Sequence, residues 1–243
     1  MPSIETLRPE KDACINGPVD RIWHTMATNP SKKSKSLDTR QKLLDAGLFL
    51  FGANGISGVS TRQLADCAGV NLSGILYHFG GKEQLYEAVA QQIADTTGAQ
   101  IAATAAAIAP TLKELTREQA AMSAGSLLGR IARVILATPD AASRAGFILR
   151  EQMQPSPAFD IIYHGYIERV HMLLAELVAR ALDRDANSEM VILQTHALLG
   201  QAMIFGMAKA TILLRLGEHE FSESRVNRTV SAIEQITVKA LSS

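Results

Sequence analysis

The residues between Ser60 and Lys82 combine small polar, aromatic and basic side chains at spacings that suit contact with a nucleic acid. The segment from Thr61 to Leu85 is predicted to form a short helix, a glycine turn, a second short helix and the start of a long helix. A helix pair of this kind presses its second helix into the major groove of DNA. Small side chains on the outward face of that helix allow close approach to base edges and some hydrogen bonding. We assign this contact with bases to Asn71, Ser73 and Gly74, together with the neighbouring Leu72.

Hydroxyl, aromatic and basic side chains around the same helix pair are predicted to bind phosphates and to set the register on the duplex. Such contacts add affinity for any sequence and carry no base preference of their own. The predicted phosphate-binding residues are Thr61, Arg62, Tyr77, His78 and Lys82, and Ser60 completes the predicted DNA-contacting set.

The ends of the two short helices can be predicted from their flanking residues. Ser60 followed by Gln63 is a capping box, which satisfies free backbone donors at a helix start. Gly69 ends the first helix, and Asn71 is the predicted N-cap of the second. The alternative is an ordinary helical hairpin without a ligand, since helix pairs are common and the motif is short. The inward face of the second helix is predicted to consist of Ile75, Leu76 and Phe79.

A third helix is predicted in front of this pair. Asp38 is its expected N-cap, with Gln41 three residues further on, and Gly55 is its expected stop. Because these three helices have little apolar surface to bury by themselves, the unit is expected to pack against the helix that follows. The core-facing stripe of the front helix is predicted to consist of Leu44, Gly47, Leu48 and Phe51.

The net charge of the whole chain is zero, but its distribution is uneven. Residues 31–86 contain seven Lys or Arg against four Asp or Glu, a net charge of +3. Three of these cations, Lys32, Lys33 and Lys35, precede the predicted front helix. These lysines either contact DNA, at the phosphates or in the minor groove, or form a solvated tail without a partner. Residues 1–35 are predicted to be a mobile arm.

Several motifs of the N-terminal part resemble the TetR/AcrR family of bacterial transcriptional regulators. The resemblance implies a helix-turn-helix domain that binds an operator in double-stranded DNA, and a C-terminal bundle for dimerisation and for a small-molecule effector. Leu149-Arg150-Glu151-Gln152 and Pro155-Ser156-Pro157 further resemble the subgroup with a CerR (YbiH-like) C-terminal domain. The family motifs are Thr39-Arg40-Gln41, Leu43-Leu44-Asp45-Ala46, Leu50-Phe51, Gly55, Ser60-Thr61-Arg62, Leu64-Ala65, Ala68-Gly69-Val70 and Tyr77-His78-Phe79-Gly80-Gly81-Lys82-Glu83-Gln84-Leu85.

Composition and spacing predict an all-α chain. Of the 243 residues, 47% are apolar, which suffices for a core, and no alternating strand pattern is evident. We expect a DNA-binding domain at 36–86 and a regulatory and dimerisation domain at 87–243. After a long helix from Lys82 to about 109, further helices are predicted at about 116–137, 141–153, 157–182, 188–216 and 222 to the C-terminus.

The segment from Met190 to Leu214 is apolar on all sides and contains one charged residue, Lys209. Polar residues in its first half argue against a membrane span. A soluble helix of this kind must be buried on all sides. We therefore predict that this helix and the last one form a four-helix interface between two copies of the chain, with Gly200 and Gly206 allowing close approach of a neighbouring helix.

An effector site is expected among the helices between about 116 and 216. Isolated polar residues in apolar stretches are candidates, because a few fixed polar groups in an apolar wall hold drug-sized ligands. For each of them, an internal hydrogen bond is the simpler explanation. The candidates are Arg133, Arg150, Gln152, His171, His196 and Gln201.

An enzyme is the alternative class of function, and a helical module that binds no DNA is another. The sequence has no glycine-rich phosphate loop, nucleophile elbow or H-E-x-x-H zinc pair. The Glu-x-x-His spacing of di-iron ligands in helical bundles occurs once, at Glu168 and His171, and we attribute this single instance to chance. No metal or cofactor is expected. Two unpaired cysteines and the lack of a signal-peptide pattern favour the cytoplasm.

Overall fold

The computed structural model describes residues 32–138 and 140–242, and within these ranges the fold is all-α, without a strand. We call helices α1 to α3 the head, α4 the lever helix and α5 to α11 the body. Short helical turns at Leu112–Glu114 and Tyr163–Ile167 supplement the helices. The helices are α1 Lys32–Asn54, α2 Thr61–Ala68, α3 Ser73–Phe79, α4 Lys82–Ile108, α5 Arg117–Ala137, α6 Ala141–Met153, α7 Pro157–Ile162, α8 Glu168–Leu182, α9 Glu189–Met207, α10 Lys209–Leu216 and α11 Glu223–Leu241.

Most predicted helix ends are confirmed. The capping box at Ser60 is complete, with the Gln63 side chain accepting from the Ser60 backbone N–H at 2.9 Å. An equivalent box joins Thr116 and Gln119. Ser156 caps α7, with a proline in the first turn of the helix. The helix ends of this chain therefore follow from local hydrogen bonding.

Three predictions about helix boundaries were wrong. Helix α1 begins at Lys32, before Asp38, and Asp38 instead forms an ion pair with Lys42 at 2.8 Å. The predicted helix over 157–182 contains a π-helical turn, and the one over 188–216 breaks at Ala208. Lys32, Lys33 and Lys35 accordingly stand on helical backbone. Residues 1–31 of the predicted arm over 1–35 lie outside the described residues, and residues 32–35 are helical.

The described residues form two hydrophobic cores. One lies within the body, where α11 packs along α5, and α8 and α9 complete it. The other joins the head and the first half of the lever helix to three residues from the body, Phe147, Ala158 and Ile162. The head therefore packs against α6 as well as against the lever helix, and α7 packs against the lever helix.

Helices α1 and α6 cross at very short range through two glycines. A Cβ added to Gly52 would overlap the carbonyl oxygen of Ser143, and one added to Gly146 would overlap that of Gly52. Next to this crossing, the Arg150 guanidinium donates hydrogen bonds to the carbonyls of Gly52 and Ala53. These carbonyls lie in the last turn of α1, where backbone acceptors lack helical partners. Arg150 thus ties the body to the end of the first head helix.

A buried carboxylate joins the lever helix to α6 and α7. Tyr86 on the lever helix donates a hydrogen bond of 2.6 Å to Glu151, whose side chain is buried. The second oxygen of Glu151 accepts from the backbone N–H and the hydroxyl of Ser156. The Tyr86 ring also stacks on Phe147, with ring centroids 4.4 Å apart. Burial and the hydrogen bond to Glu151 raise the pKa of Tyr86, so the hydroxyl remains a donor.

We expect Gly146→Ala to destabilise the protein by about 1–3 kcal/mol, the usual cost of overpacking a close contact. The added methyl meets backbone atoms of α1, which cannot move aside as a flexible side chain does. Chemical unfolding measures the loss. Ala142→Ser, on the exposed side of the same helix, is the matched control, and equal stability of the two variants would contradict the tight crossing.

Candidate nucleic-acid interface

Helices α2 and α3 form a compact helix-turn-helix. Gly69 ends α2 in the left-handed conformation with φ 63°, and its N–H donates to the carbonyls of Ala65 and Asp66. Helix α3 begins at Ser73 and ends at Gly80, where φ is 92°. Residues with a Cβ rarely adopt these angles, so the two glycines fix the length and direction of α3. We call α3 the recognition helix.

The predicted N-cap of the recognition helix was wrong. Leu72 occupies the N-cap position without a side-chain hydrogen bond. Asn71 contributes through its carbonyl, which accepts from the Gly74 N–H at 2.8 Å. The exposed Asn71 side chain is thus not engaged in capping the helix.

The outward face of the recognition helix is more apolar than the sequence analysis predicted. Leu76, assigned to the inward face, is 69% exposed, while Ile75 is buried and Phe79 is half-buried. The reason is angular: Leu72 and Leu76 are four residues apart and share one row, and Ile75 and Phe79 form another row. Only the second row meets the head core. Leu72 and Tyr77 are exposed at 55% and 81%.

A cavity of about 840 Å³ opens beside the recognition helix and collects part of the predicted DNA-contacting set. Asn71, Ser73, Gly74 and Tyr77 all line it. Its other walls come from α1 and α2, which places the predicted readers at a concave surface of the head. The remaining lining residues are Thr39, Ala65, Asp66, Gly69 and Val70.

The other predicted contact residues lie outside this cavity. Ser60, Thr61 and Arg62 are exposed at the start of α2, and His78 is half-buried with its ring against Tyr77 at 4.9 Å. Arg62 lies 3.8 Å from Asp66, with both side chains largely exposed. Such a pair holds its members weakly, so the Arg62 guanidinium can exchange partners at low cost.

Lys82 has a structural function that the sequence analysis missed. Its ammonium donates to the carbonyls of Ile56 and Val59, at 3.0 and 3.1 Å. Two of its three donors therefore hold the loop between α1 and α2, in addition to the phosphate contact predicted for this residue. Arg40, which was not predicted as a site residue, is exposed and lies over the Phe79 ring at 5.1 Å.

The six effector candidates do not converge on one site. Arg133 donates to Asn227 at 2.6 Å, and Arg150 caps α1 as described above. Gln201 donates to Thr237 at 2.7 Å, and Gln152 is exposed at the end of α6. His171 and His196 stack on each other with ring centroids 5.7 Å apart. Burial and the neighbouring His196 lower the pKa of His171. Five of the six candidates thus make contacts within the protein.

A second cavity, of about 270 Å³, lies between the outer half of the lever helix and α5. None of the six effector candidates lines it. Leu127 supplies a buried apolar surface, and Arg130 supplies the one basic group among its lining residues. The rest of the lining is Gln100, Ala103, Thr104, Ala107, Ile108, Ser123 and Ser126.

The exposed surface of α9 is strongly apolar. Ile192, Leu193 and Ile204 are each at least half exposed, and an added Cβ at Gly200 would meet no atom within 4 Å. Gly206 differs, since a Cβ there would overlap the Ile135 side chain of α5. By length and composition α5 and α9 could each cross a membrane, but core helices of soluble proteins pass the same test.

The candidate di-iron pair does not come together as metal ligands. Glu168 pairs with His164 at 3.1 Å, whereas His171 stacks on His196. Over the described ranges, no group of three or more His, Cys, Asp or Glu side chains is placed to hold a metal ion.

Comparison with known proteins agrees with this architecture in both parts of the chain. Residues 43–89 match the family described as bacterial regulatory proteins, tetR family. Residues 123–242 match the C-terminal domain of the HTH-type transcriptional dual regulator CecR, the domain type written above as CerR. The regulator CecR of Shigella flexneri is 34% identical over 220 residues, which cover 88% of this chain and 97% of the relative.

Solved structures share the fold at lower identity. A TetR-family transcriptional regulator from Mesorhizobium loti superposes with a TM-score of 0.55 at 18% identity. The match covers 85% of this chain and 98% of that regulator. AmtR of Mycobacterium smegmatis gives a TM-score of 0.56 at 16% identity, covering 84% of this chain and 86% of its own. Because similarity to a regulator extends through head and body alike, the chain belongs to the TetR family of bacterial transcriptional regulators and is a DNA-binding regulator with a CecR-type C-terminal domain.

Proposed function

We propose that the protein is a cytoplasmic homodimer that binds a palindromic operator and represses transcription until a small molecule releases it. The exposed, uncharged recognition helix is the observation that carries this proposal. Its small side chains allow the helix to enter the major groove and to approach base edges closely.

The contacts divide into base readers and phosphate binders. Asn71, Ser73 and Gly74 face the cavity beside the recognition helix and read base edges. Thr61 and Arg62 outside the cavity and Tyr77 in its wall are exposed and bind phosphates. Ser60, Leu72 and His78 complete the surface, and Lys82 supports it by fixing the loop between α1 and α2.

The dimer interface is formed by the apolar face of α9 together with α11. Large apolar side chains that are half exposed on one helix call for a covering surface. Gly200 leaves open space for close approach of a second helix. Ile236 on α11 is also exposed, which extends the apolar surface beyond α9. Two copies joined here present two recognition helices, as a palindrome requires.

The effector binds in the cavity between the lever helix and α5. A ligand there touches both the lever helix, which carries the recognition helix at its N-terminal end, and the body. The volume lies just below the about 300–1,000 Å³ of drug-sized ligand sites. The apolar Leu127 surface and the Arg130 guanidinium fit a small ligand with an anionic group.

Selection of bound duplexes from a random pool tests the regulator proposal. We expect an enriched sequence with two inverted half-sites about one or more helical turns apart, because a two-fold dimer reads a two-fold site. Repeating the selection with small anionic compounds is expected to abolish binding for the effector class. Enrichment of a single unrepeated half-site would contradict the dimeric readout.

Tyr77→Ala is expected to weaken operator binding about tenfold or more, the usual loss when a hydrogen bond to a charged group disappears. The side chain is 81% exposed, so the fold should be unaffected. Fluorescence anisotropy at fixed salt measures affinity, and circular dichroism checks the fold. Tyr77→Phe removes only the hydroxyl and so separates its contribution to affinity from that of the ring. Unchanged affinity of Tyr77→Ala would remove Tyr77 from the contact set.

Leu193→Glu is expected to convert the dimer to a monomer, because a carboxylate in an apolar interface loses its hydration without gaining a partner. Sedimentation velocity measures the oligomeric state. Leu37→Glu is the matched control, since Leu37 is a similarly exposed leucine on α1 in the head. A Leu193→Glu protein that stays dimeric would place the interface elsewhere.

A further inference from the structure

The recognition helix lacks the side chains that usually distinguish purines in the major groove. Residues 72–79 contain no Arg, Lys, Asn, Gln, Asp or Glu. Paired hydrogen bonds from Arg or Lys to guanine, or from Asn or Gln to adenine, are therefore unavailable from this helix. Asn71, which precedes the helix, and Ser73 in its first turn can still hydrogen-bond to base edges, and the rest of the outward face offers apolar contact.

Two leucines occupy the outward row of the same helix. Leu72 and Leu76 are 55% and 69% exposed, and they are one helical turn apart. The rise between them is about 6 Å, close to two base-pair steps of about 3.4 Å each. Neither leucine is part of the head core. Exposed apolar side chains that cluster in this way mark a surface that is covered in the functional state.

The surroundings of these leucines identify the covering partner as DNA. Arg40 lies over the Phe79 ring of the recognition helix at 5.1 Å, and Arg62 is exposed at the start of α2, so the head carries basic side chains near this helix. Each of the two leucines precedes a polar residue, Ser73 and Tyr77 respectively, that lines the cavity of the helix-turn-helix. Basic side chains bind the phosphates that border a groove.

We propose that Leu72 and Leu76 read the C5-methyl groups of thymines in each operator half-site. Thymine is the only base that presents a methyl group in the major groove. A leucine packed against this methyl group buries apolar surface, and cytosine and uracil lack the methyl group needed for the same contact. This inference rests on the proposed operator binding and adds the chemical basis of its base preference.

The test removes only the methyl groups. In a duplex obtained by selection, each thymine of one half-site is replaced in turn by deoxyuridine, and affinity is measured by anisotropy at fixed salt. We expect affinity to fall about fourfold for each contacted methyl, the factor that corresponds to burying one methyl-sized group. Deoxyuridine outside the half-sites is expected to have no effect.

Two variants assign each methyl to a side chain. Leu76→Ala is expected to weaken the thymine duplex and to abolish the uracil penalty at one position, while the penalty at the Leu72 position persists. Leu72→Ala is expected to do the reverse. Met122→Ala, at a 57% exposed methionine on α5, is the control and should keep both penalties. Circular dichroism confirms that each variant remains folded.

The outcomes separate this inference from the regulator proposal. If no duplex is enriched from the pool, operator binding itself fails. If a duplex binds tightly but tolerates deoxyuridine throughout both half-sites, methyl readout is overturned and operator binding stands. Equal uracil penalties in the wild type and both leucine variants would also overturn it, because the methyl contacts would then belong to other residues.

Discussion

The close crossing of α1 and α6 is the constraint on which the rest of the structure depends. Gly52 and Gly146 bring the two backbones so near that neither position has room for a Cβ. Only at this separation can Arg150 reach the last carbonyls of α1, while the neighbouring Glu151 accepts a hydrogen bond from Tyr86 on the lever helix. Phe147 then enters the head core. Helix α6 thereby contacts the front helix and the lever helix at once, which fixes the position of the head on the body.

This arrangement explains how a short apolar helix can remain exposed. The recognition helix buries Ile75, and the two left-handed glycines at its ends fix its position. Its stability therefore comes from the head core and the lever helix, since a helix of seven residues is not stable alone. Leu72 and Leu76 are left available for contact with DNA. The major groove of DNA has uncharged base edges at its floor and phosphates along its borders, so it suits both the apolar row and the basic side chains of the head.

The sequence predicted much of the fold, and its errors have identifiable physical causes. The capping box at Ser60 and the glycine stops at Gly55 and Gly69 were correct because they are settled by hydrogen bonds within a few residues. The start of α1 was misplaced because Asp38 offers both a cap and an i,i+4 ion pair with Lys42. Leu76 was assigned inward because composition alone does not say which of two apolar rows meets the core. Arg150 was taken for an effector candidate because its acceptors, at Gly52 and Ala53, are distant in sequence.

The amino-acid sequence by itself determined the helical class, most helix ends and the position of the helix-turn-helix, since these depend on neighbours within one or two turns. Its motifs also carried the resemblance to the TetR family. Only the tertiary structure decided which side chains are available. It turned Leu76 outward, engaged the Lys82 ammonium with two loop carbonyls and joined Glu151 to Tyr86. Exposure and long-range hydrogen bonds are set by how whole helices cross, and that geometry is a property of the packed chain.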